Sequence, residues 1–579
     1  MRKRYWAGTI GVILLGVVAA CSSDEGPGAN RTVSIESGND QFAVVGSELA
    51  PLVVRVVDAN DTPETGVDVA WSVVSGGGSI TPATSTTDAA GLASATFTLG
   101  STVGTQEARA SVPGADGSPV TFSGTGLASA PAQMTKLSGD RQAGPVGAEL
   151  PLPLVVQIRD EFGAALEGVD VSWNVVTGGG NLSSATTTSD ATGLAKVFLT
   201  LGSSAGGQDV TASVDGLPGS PVTFHATARA PFAILGGGNN VPERYTSDLW
   251  VHGDYAYTGT WGFRSASGNA VKIWHLSAGG TPTLVDSIVT AGIGTVSDIE
   301  VSSDGSLLVF SAENGSGAGL FLYSLADPAN PAFIDSVHVG SGLHTAAFGY
   351  IGGKRYIFAA KNPGSPALII YEIDPLAAQP IDPVDTLPVA ANYGLHDTFV
   401  RDGLAFLCAW NSGVLIYDVG NGVNGGSPTN PQLVSSVQTS GGQVHNAWWF
   451  HSPSGEQKYL FVGEEGPGTI GGSSDGDIHI VDVSNLNAPV EVGSYHLSGA
   501  GTHNFWVDEA RQILYAAYYN GGVVALDISG TLSGSIVLRE IARIMPGASG
   551  NTFVWGVMLA NGDVYASDML SGLWQLKAP

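Results

Sequence analysis

Four histidines recur at one position of a long repeat: His344, His396, His445 and His503 stand 52, 49 and 58 residues apart. Imidazole titrates near neutral pH and is the commonest nitrogen ligand for metals. A set that converges in space can therefore bind a metal or hold a polar ligand. It can also do nothing more than hydrogen-bond neighbouring loops. The same position starts other copies at Ser247, Ser297 and Trp555, so the seven anchors are separated by 50, 47, 52, 49, 58 and 52 residues. The next position carries Asp248, Asp298, Asp397, Asn446 and Asn504. A second polar and aromatic column comprises Trp261, Glu313, Lys361, Trp410, Glu464, Glu465, Tyr519 and Asp568. Repetition at one position favours a structural role for the histidines, because a catalytic site usually breaks the symmetry of its repeats. A ligand site and a metal site are the alternatives.

Other chemical signals are weak. Gly472-Ser473-Ser474-Asp475-Gly476 matches G-x-S-x-G but lies in a Gly-rich loop, not at a strand-to-helix elbow. Asp475 and Asp477 hint at calcium, yet the position eleven beyond Asp475 is Leu486 rather than Glu, which excludes an EF-hand loop. Cys408 sits in the apolar run Leu404–Trp410 with no base nearby in sequence and reads as a buried structural thiol. No H-E-x-x-H, P-loop or C-x-x-C occurs, and no residue is assigned a catalytic role.

The elements that position these columns are short strands. The clearest unit runs His445–Trp449, Lys458–Val462, Gly476–Val483 and Pro489–Tyr495, four strands that read as one propeller blade. Its third-strand string Ile478-His479-Ile480-Val481-Asp482-Val483-Ser484, followed by Pro489, resembles the LVIVD repeat of bacterial β-propellers. Hairpins at Asp304-Gly305, Asp402-Gly403 and Asn561-Gly562 supply the positive φ of tight turns. The last blade stops after its third strand, and Pro231–Leu235 stands where a fourth strand belongs. That segment should therefore close the ring. Propeller geometry puts the starts of the first strands and the ends of the second strands on one face. The expected ligand-binding surface is thus His344, His396, His445, His503, Asp248, Asp298, Asp397, Asn446, Asn504, Trp261, Trp410 and Glu464, at the mouth of the channel.

Upstream lies a different repeat. Val53–Asp58, Gly66–Trp71, Asp88–Ala93 and Gly117–Phe122 each recur 102 residues later without a gap. Val67, Val69, Trp71 and Val73 alternate with polar or small residues, the period of a half-buried strand. At about 100 residues per unit, each copy reads as a β-sandwich. The pattern resembles bacterial Ig-like domains of the invasin/intimin type over residues 31–127 and 133–228. That resemblance implies a spacer without catalytic residues.

The chain begins with Arg2, Lys3 and Arg4, an apolar stretch Ala7–Ala20, and then Val18-Ala19-Ala20-Cys21-Ser22. The stretch has signal-peptide length. Its end resembles a bacterial lipobox, which implies lipidation of Cys21 and a mature N-terminus there. Ser22 resembles the pattern that sends lipoproteins to an outer membrane. Glycine is 81 of 579 residues, roughly double the usual share. Asp+Glu 51 against Lys+Arg 23 gives a net charge of −28, or −31 once the three cations of residues 1–20 are removed. Such a charge argues against a nucleic-acid partner.

The expectation is all-β. A signal peptide (1–20) and linker (21–30) precede two tandem Ig-like β-sandwiches (31–128 and 129–229). A seven-bladed β-propeller closed by its N-terminal strand (230–579) follows. Two functions are carried forward. The first is a lipid-anchored surface protein whose propeller binds a protein or glycan, with no cofactor. The alternative is a metal-dependent enzyme using the channel histidines.

Overall fold

The computed structural model describes residues 31–579 apart from 263–265, 363–364, 390–393, 467–473, 549 and 551. The signal segment, Cys21 and the 21–30 linker lie outside the described residues. All regular structure described is β apart from a 3-10 turn, Val537–Arg539. No described helix is long and apolar enough to cross a membrane.

Alternation fixes the two sandwiches. In Asp68–Val73, Val69 and Trp71 are buried while Asp68, Ala70 and Ser72 face out. This strand sits in a sheet with Gln41–Val44, Val120–Leu127, Gly104–Ser111 and Thr84–Thr86. The opposing sheet holds Thr32–Ser37, Leu52–Val57, Leu92–Thr98 and Ser79–Thr81. The second copy repeats the five-stranded sheet with Gln142–Pro145, Val222–Arg229, Gly206–Ser213, Asp170–Val175 and Thr186–Thr188. Each core turns on one tryptophan. Trp71 tilts against Phe122 and Trp173 against Phe224, both with ring centroids 5.9 Å apart. Each indole N–H, which a buried ring must satisfy, donates to a hydroxyl at 2.8 Å, Ser85 for Trp71 and Thr187 for Trp173. The second sandwich also docks on the propeller. The Ala143 amide donates to Asp527 Oδ2 at 3.0 Å, and the Ser529 hydroxyl donates to the Arg141 carbonyl at 3.3 Å.

Residues beyond the sandwiches form seven four-stranded antiparallel sheets, with a fifth short strand, Gly534–Ser535, added to one of them. Their innermost strands are Tyr245–His252, Thr295–Val301, Thr345–Ile351, Thr398–Arg401, Val444–Phe450, Phe505–Asp508 and Val554–Ala560, here blades 1 to 7. Third strands are buried on both faces, as in Ile478–Asp482, so they read as continuous apolar runs rather than alternation. Outermost strands such as Thr283–Val289 are largely exposed. At Asp402-Gly403 and Asn561-Gly562 both turn residues have positive φ, as tight hairpins require. In blade 7 the fourth place is taken by Ala233–Gly237, antiparallel to Gly572–Lys577, with Ala233 opposite Lys577 and Gly237 opposite Trp574. The ring is thus closed by a strand from its own N-terminal end.

Deleting residues 231–236 would leave the Gly572–Lys577 edge without its partner. At about 1 kcal/mol per ladder hydrogen bond, the propeller's thermal midpoint should fall by on the order of 5 °C or more. Scanning calorimetry checks this, and an unmoved transition would contradict the closure.

Candidate functional site

Because the seven innermost strands surround one axis, residues at the same repeat position form layers along it. The first layer is the histidines. Ring centroids are 4.4 Å apart for His344 and His396, 4.9 Å for His396 and His445, and 3.9 Å for His445 and His503. His396 stacks on Trp410 at 4.3 Å, His503 packs on Trp555 at 4.2 Å, and Trp261 meets Trp555 at 5.1 Å. These rings close that end of the axis, leaving a space of only about 40 Å³ beside His344, His445 and His503. Glu465 joins the layer, with Oε1 3.9 Å from His445 Nε2 and 3.8 Å from His503 Nε2. The Tyr519 hydroxyl donates to the same Glu465 oxygen.

Burial governs the charges here. It pushes His396 well below the ordinary imidazole value, helped by His344 and His445. It does the same to His445, beside His503, and to His503, beside His344. For His344 burial also works against the charge, but a carboxylate, Glu313 Oε1 at 2.9 Å from Nδ1, outweighs it and raises the value. Glu465 is pushed up to about 7 by burial.

The second layer holds Asp248, Asp298, Asp397, Asn446 and Asn504. Several of these carboxylates do structural work between blades. Asp298 Oδ2 accepts the Ala346 amide of the next blade at 2.7 Å, and Asp248 Oδ2 accepts the Ile299 amide at 3.4 Å. Asn504 donates to Asp248 Oδ1 at 2.7 Å, reaching past blade 7. Blade 7 permits this because its residue at that position is Gly556, where a Cβ would stand 2.8 Å from Asp248 Oδ1. Burial raises Asp248 to about 6, Asp397 to about 7, and Asp298 well above the usual carboxylate range, the last with Asp248 as a like charge beside it.

Below the acids the axis widens into a cavity of about 660 Å³. Its walls include Trp250, Glu300, Phe399, Trp448, Trp506 and Met558, and its rim includes Arg401, Asp508 and Glu509. Trp506 packs at 5.9 Å from Trp250 and 5.4 Å from Trp448, and Phe399 lies 5.2 Å from Trp448. Arg401 Nη2 pairs with Glu509 Oε2 at 3.0 Å across the rim. Glu300 spends one oxygen on the Phe348 amide, and burial raises its carboxyl well above the usual range. Asn446 Oδ1 and Thr398 Oγ1, in residues 3% and 2% exposed on this lining, have no hydrogen-bond partner among the described residues.

The structure brings eleven of the twelve expected face residues to the axis or its histidine cap and leaves out one. Glu464 lies beside Glu465 in sequence but turns into blade 5, 3.0 Å from His479 Nε2. Adjacent strand residues point to opposite faces, so only one of the pair can reach the axis. A second correction concerns the accessible end. Among the described residues the histidine end is packed by aromatic rings, and the large cavity lies beyond the acids. Its walls were missed by reading only the first two positions of each repeat. Trp250, Glu300, Phe399, Trp448, Trp506 and Met558 each fall two residues after the Asp/Asn column, on the same strand face. Cys408 is fully buried, and burial raises its thiol well above the usual value, in keeping with a structural role.

Residues 32–139 match the bacterial Ig-like domain (group 1) family, and residues 243–263 and 472–496 match the LVIVD repeat. A comparison with curated proteins returned no match. Among solved structures, the D0-D1 domain of intimin is 17% identical, with 34% of this chain and 94% of that one covered and a TM-score of 0.15. Sqt1 from Chaetomium thermophilum is 13% identical, with 60% and 100% covered and a TM-score of 0.43. The Cps50 (Swd1) β-propeller domain of Myceliophteria thermophila is 13% identical, with 60% and 99% covered and a TM-score of 0.43.

The second LVIVD match contains His479, which is 1% exposed and lies between two acids. Its Nδ1 is 2.8 Å from Glu491 Oε1. Glu464 in turn accepts the Gly442 amide at 2.8 Å and the Thr439 hydroxyl, and Glu491 accepts the Ser440 amide at 2.9 Å. The imidazolium thereby clamps the connection from blade 4 to blade 5. Burial opposes its charge, but the two carboxylates prevail and raise His479 to about 9. A raised histidine contributes stability that is complete below the unfolded value of about 6.5 and lost as pH rises through the folded value. The stability difference between wild type and His479→Gln should therefore shrink by on the order of 2–3 kcal/mol between about pH 6 and about pH 10. Urea midpoints across that range check it. A constant difference would contradict the clamp.

Proposed function

We propose that this chain is a bacterial envelope protein, lipid-anchored through Cys21, whose Ig-like domains present a propeller that binds a small organic cation in its axial cavity. The observation that carries the ligand class is the pairing of aromatic walls with a cluster of acids, Asp248 buried and Asp298, Glu300 and Asp397 partly so. Asp248, Asp298, Glu300 and Asp397 line the cavity, and the one basic residue on its lining, Arg401, is already bound to Glu509. A cation entering between Trp250, Trp448 and Trp506 gains the attraction of ring faces. It also supplies the charge that buried carboxyls lack. The volume of about 660 Å³ suits a small molecule or a single protruding side chain. Unpartnered Asn446 and Thr398 oxygens offer acceptors to ammonium or guanidinium hydrogens.

The anchor and the ligand are tested separately. Cys21→Ser should move the protein from the membrane fraction to the soluble exported fraction, and a variant that stays membrane-bound would contradict lipidation there. Titration with choline, spermidine or arginine methyl ester should change tryptophan fluorescence saturably. Trp448→Leu and Glu300→Gln should each weaken binding about tenfold or more, the size of one desolvated cation–π or charge contact. Saturable binding of neutral sugars with no response to any of the cations would overturn the ligand class.

A further inference from the structure

The four histidines lie outside the lining of the ligand cavity, beyond the acids that border both spaces. We propose that His344, His396 and His445 hold one divalent transition-metal ion of the zinc or copper class, which ties blades 3, 4 and 5 together at the sealed end of the axis. One nitrogen from each of the three rings lies within 4.8 Å of those of the other two. Coordination at about 2.0–2.1 Å per imidazole nitrogen draws three donors to within about 3.5 Å of one another. The rings therefore need only a small inward movement.

Two further observations point the same way. Among the described residues, Nδ1 of His396, of His445 and also of His503 has no hydrogen-bond partner, although His445 is 2% exposed. A buried polar atom left unpaired costs about 1–3 kcal/mol, and a metal bond removes that cost. His344 has its Nδ1 engaged by Glu313 at 2.9 Å. This leaves Nε2 to face the cluster, the carboxylate–histidine arrangement that orients metal ligands and raises their basicity. The donor set is imidazole, with no thiolate in the cluster, which selects zinc, copper, nickel or cobalt over magnesium or calcium. His396 stacks on Trp410 and His445 packs against His503, so rings flank the three ligands, and the fourth position of a tetrahedral ion falls to water.

The test is cobalt titration of chelator-stripped full-length protein in detergent, followed by visible spectroscopy and zinc competition. The expected result is one equivalent of cobalt with the intense visible bands of a low-coordinate site, bleached by one equivalent of zinc. Zinc should also raise the thermal midpoint of the stripped protein. His445→Ala should weaken binding by at least about 100-fold, and Glu313→Gln by about 10-fold, as loss of an outer-shell carboxylate does. His503→Gln should bind within a few-fold of wild type. If His445→Ala fails to fold, His396→Gln replaces it, because His396 is only partly buried. Absence of saturable cobalt or zinc binding by wild type would overturn the proposal. So would unchanged affinity in folded His396→Gln, or loss of the site in His503→Gln alone.

Discussion

The innermost strand of each blade has a sheet partner on one side only, and its other edge faces the axis. Backbone amides there have no ladder to join, and a buried amide left unpaired is costly. The propeller meets this constraint by lending acceptors from one blade to the next. Asp248 takes an amide of blade 2, and Asp298 and Glu300 take amides of blade 3. The acid column is first of all the means by which blades are joined in register. Its consequence is that carboxyls gather on the axis with oxygens committed to the amides of the next blade. A surface that would be unremarkable on an exposed sheet becomes, by this geometry, a well of uncompensated acid.

The same convergence explains the other layers. One residue before that column's position, blades 3 to 6 carry histidines, and the circumference is too small to keep them apart. Two residues after that column's position, the axis widens, and Trp250, Phe399, Trp448 and Trp506 stand around an open space with Glu300 and Met558. A repeat that varies slowly from blade to blade thus produces three distinct chemical environments along a few strand residues. Departures from the repeat matter as much as adherence to it. Gly556 clears a path for Asn504 to reach Asp248, and Trp555 stands in the histidine layer as a lid rather than a ligand.

Much of this could be read from the residues alone. The 102-residue offset and the Val-Asp-Val-x-Trp strands carry the sandwiches, and the seven anchors with the orphan strand before them carry the closed ring. The four histidines meet because anchors of one repeat position must meet at the axis. Direction and depth were less legible. Glu464 and Glu465 are chemically identical neighbours, and only strand pairing decides that Glu465 faces the histidines while Glu464 meets His479. The aromatic wall follows from two-residue alternation, but Trp250, Trp448 and Trp506 look like ordinary core residues until the diameter of the ring is known. Which end of the axis is open depends on the packing of Trp410, Trp555 and Tyr519, and sequence spacing carries no information about that.

The central claim is that the axis is sealed at the histidines and open beyond the acids. Its most direct test uses thiol reactivity, with Cys408 as an internal zero because it is fully buried. Ala347 lines the large cavity and Ser297 lines the small space beside the histidines. Each is replaced by cysteine, in chains carrying Cys21→Ser, and exposed to a polar thiol reagent. The account predicts that Ala347→Cys reacts readily and is protected by a bound organic cation, while Ser297→Cys stays as silent as Cys408. Rapid labelling of Ser297→Cys with a protected Ala347→Cys in the absence of ligand would mean that the axis opens at the other end.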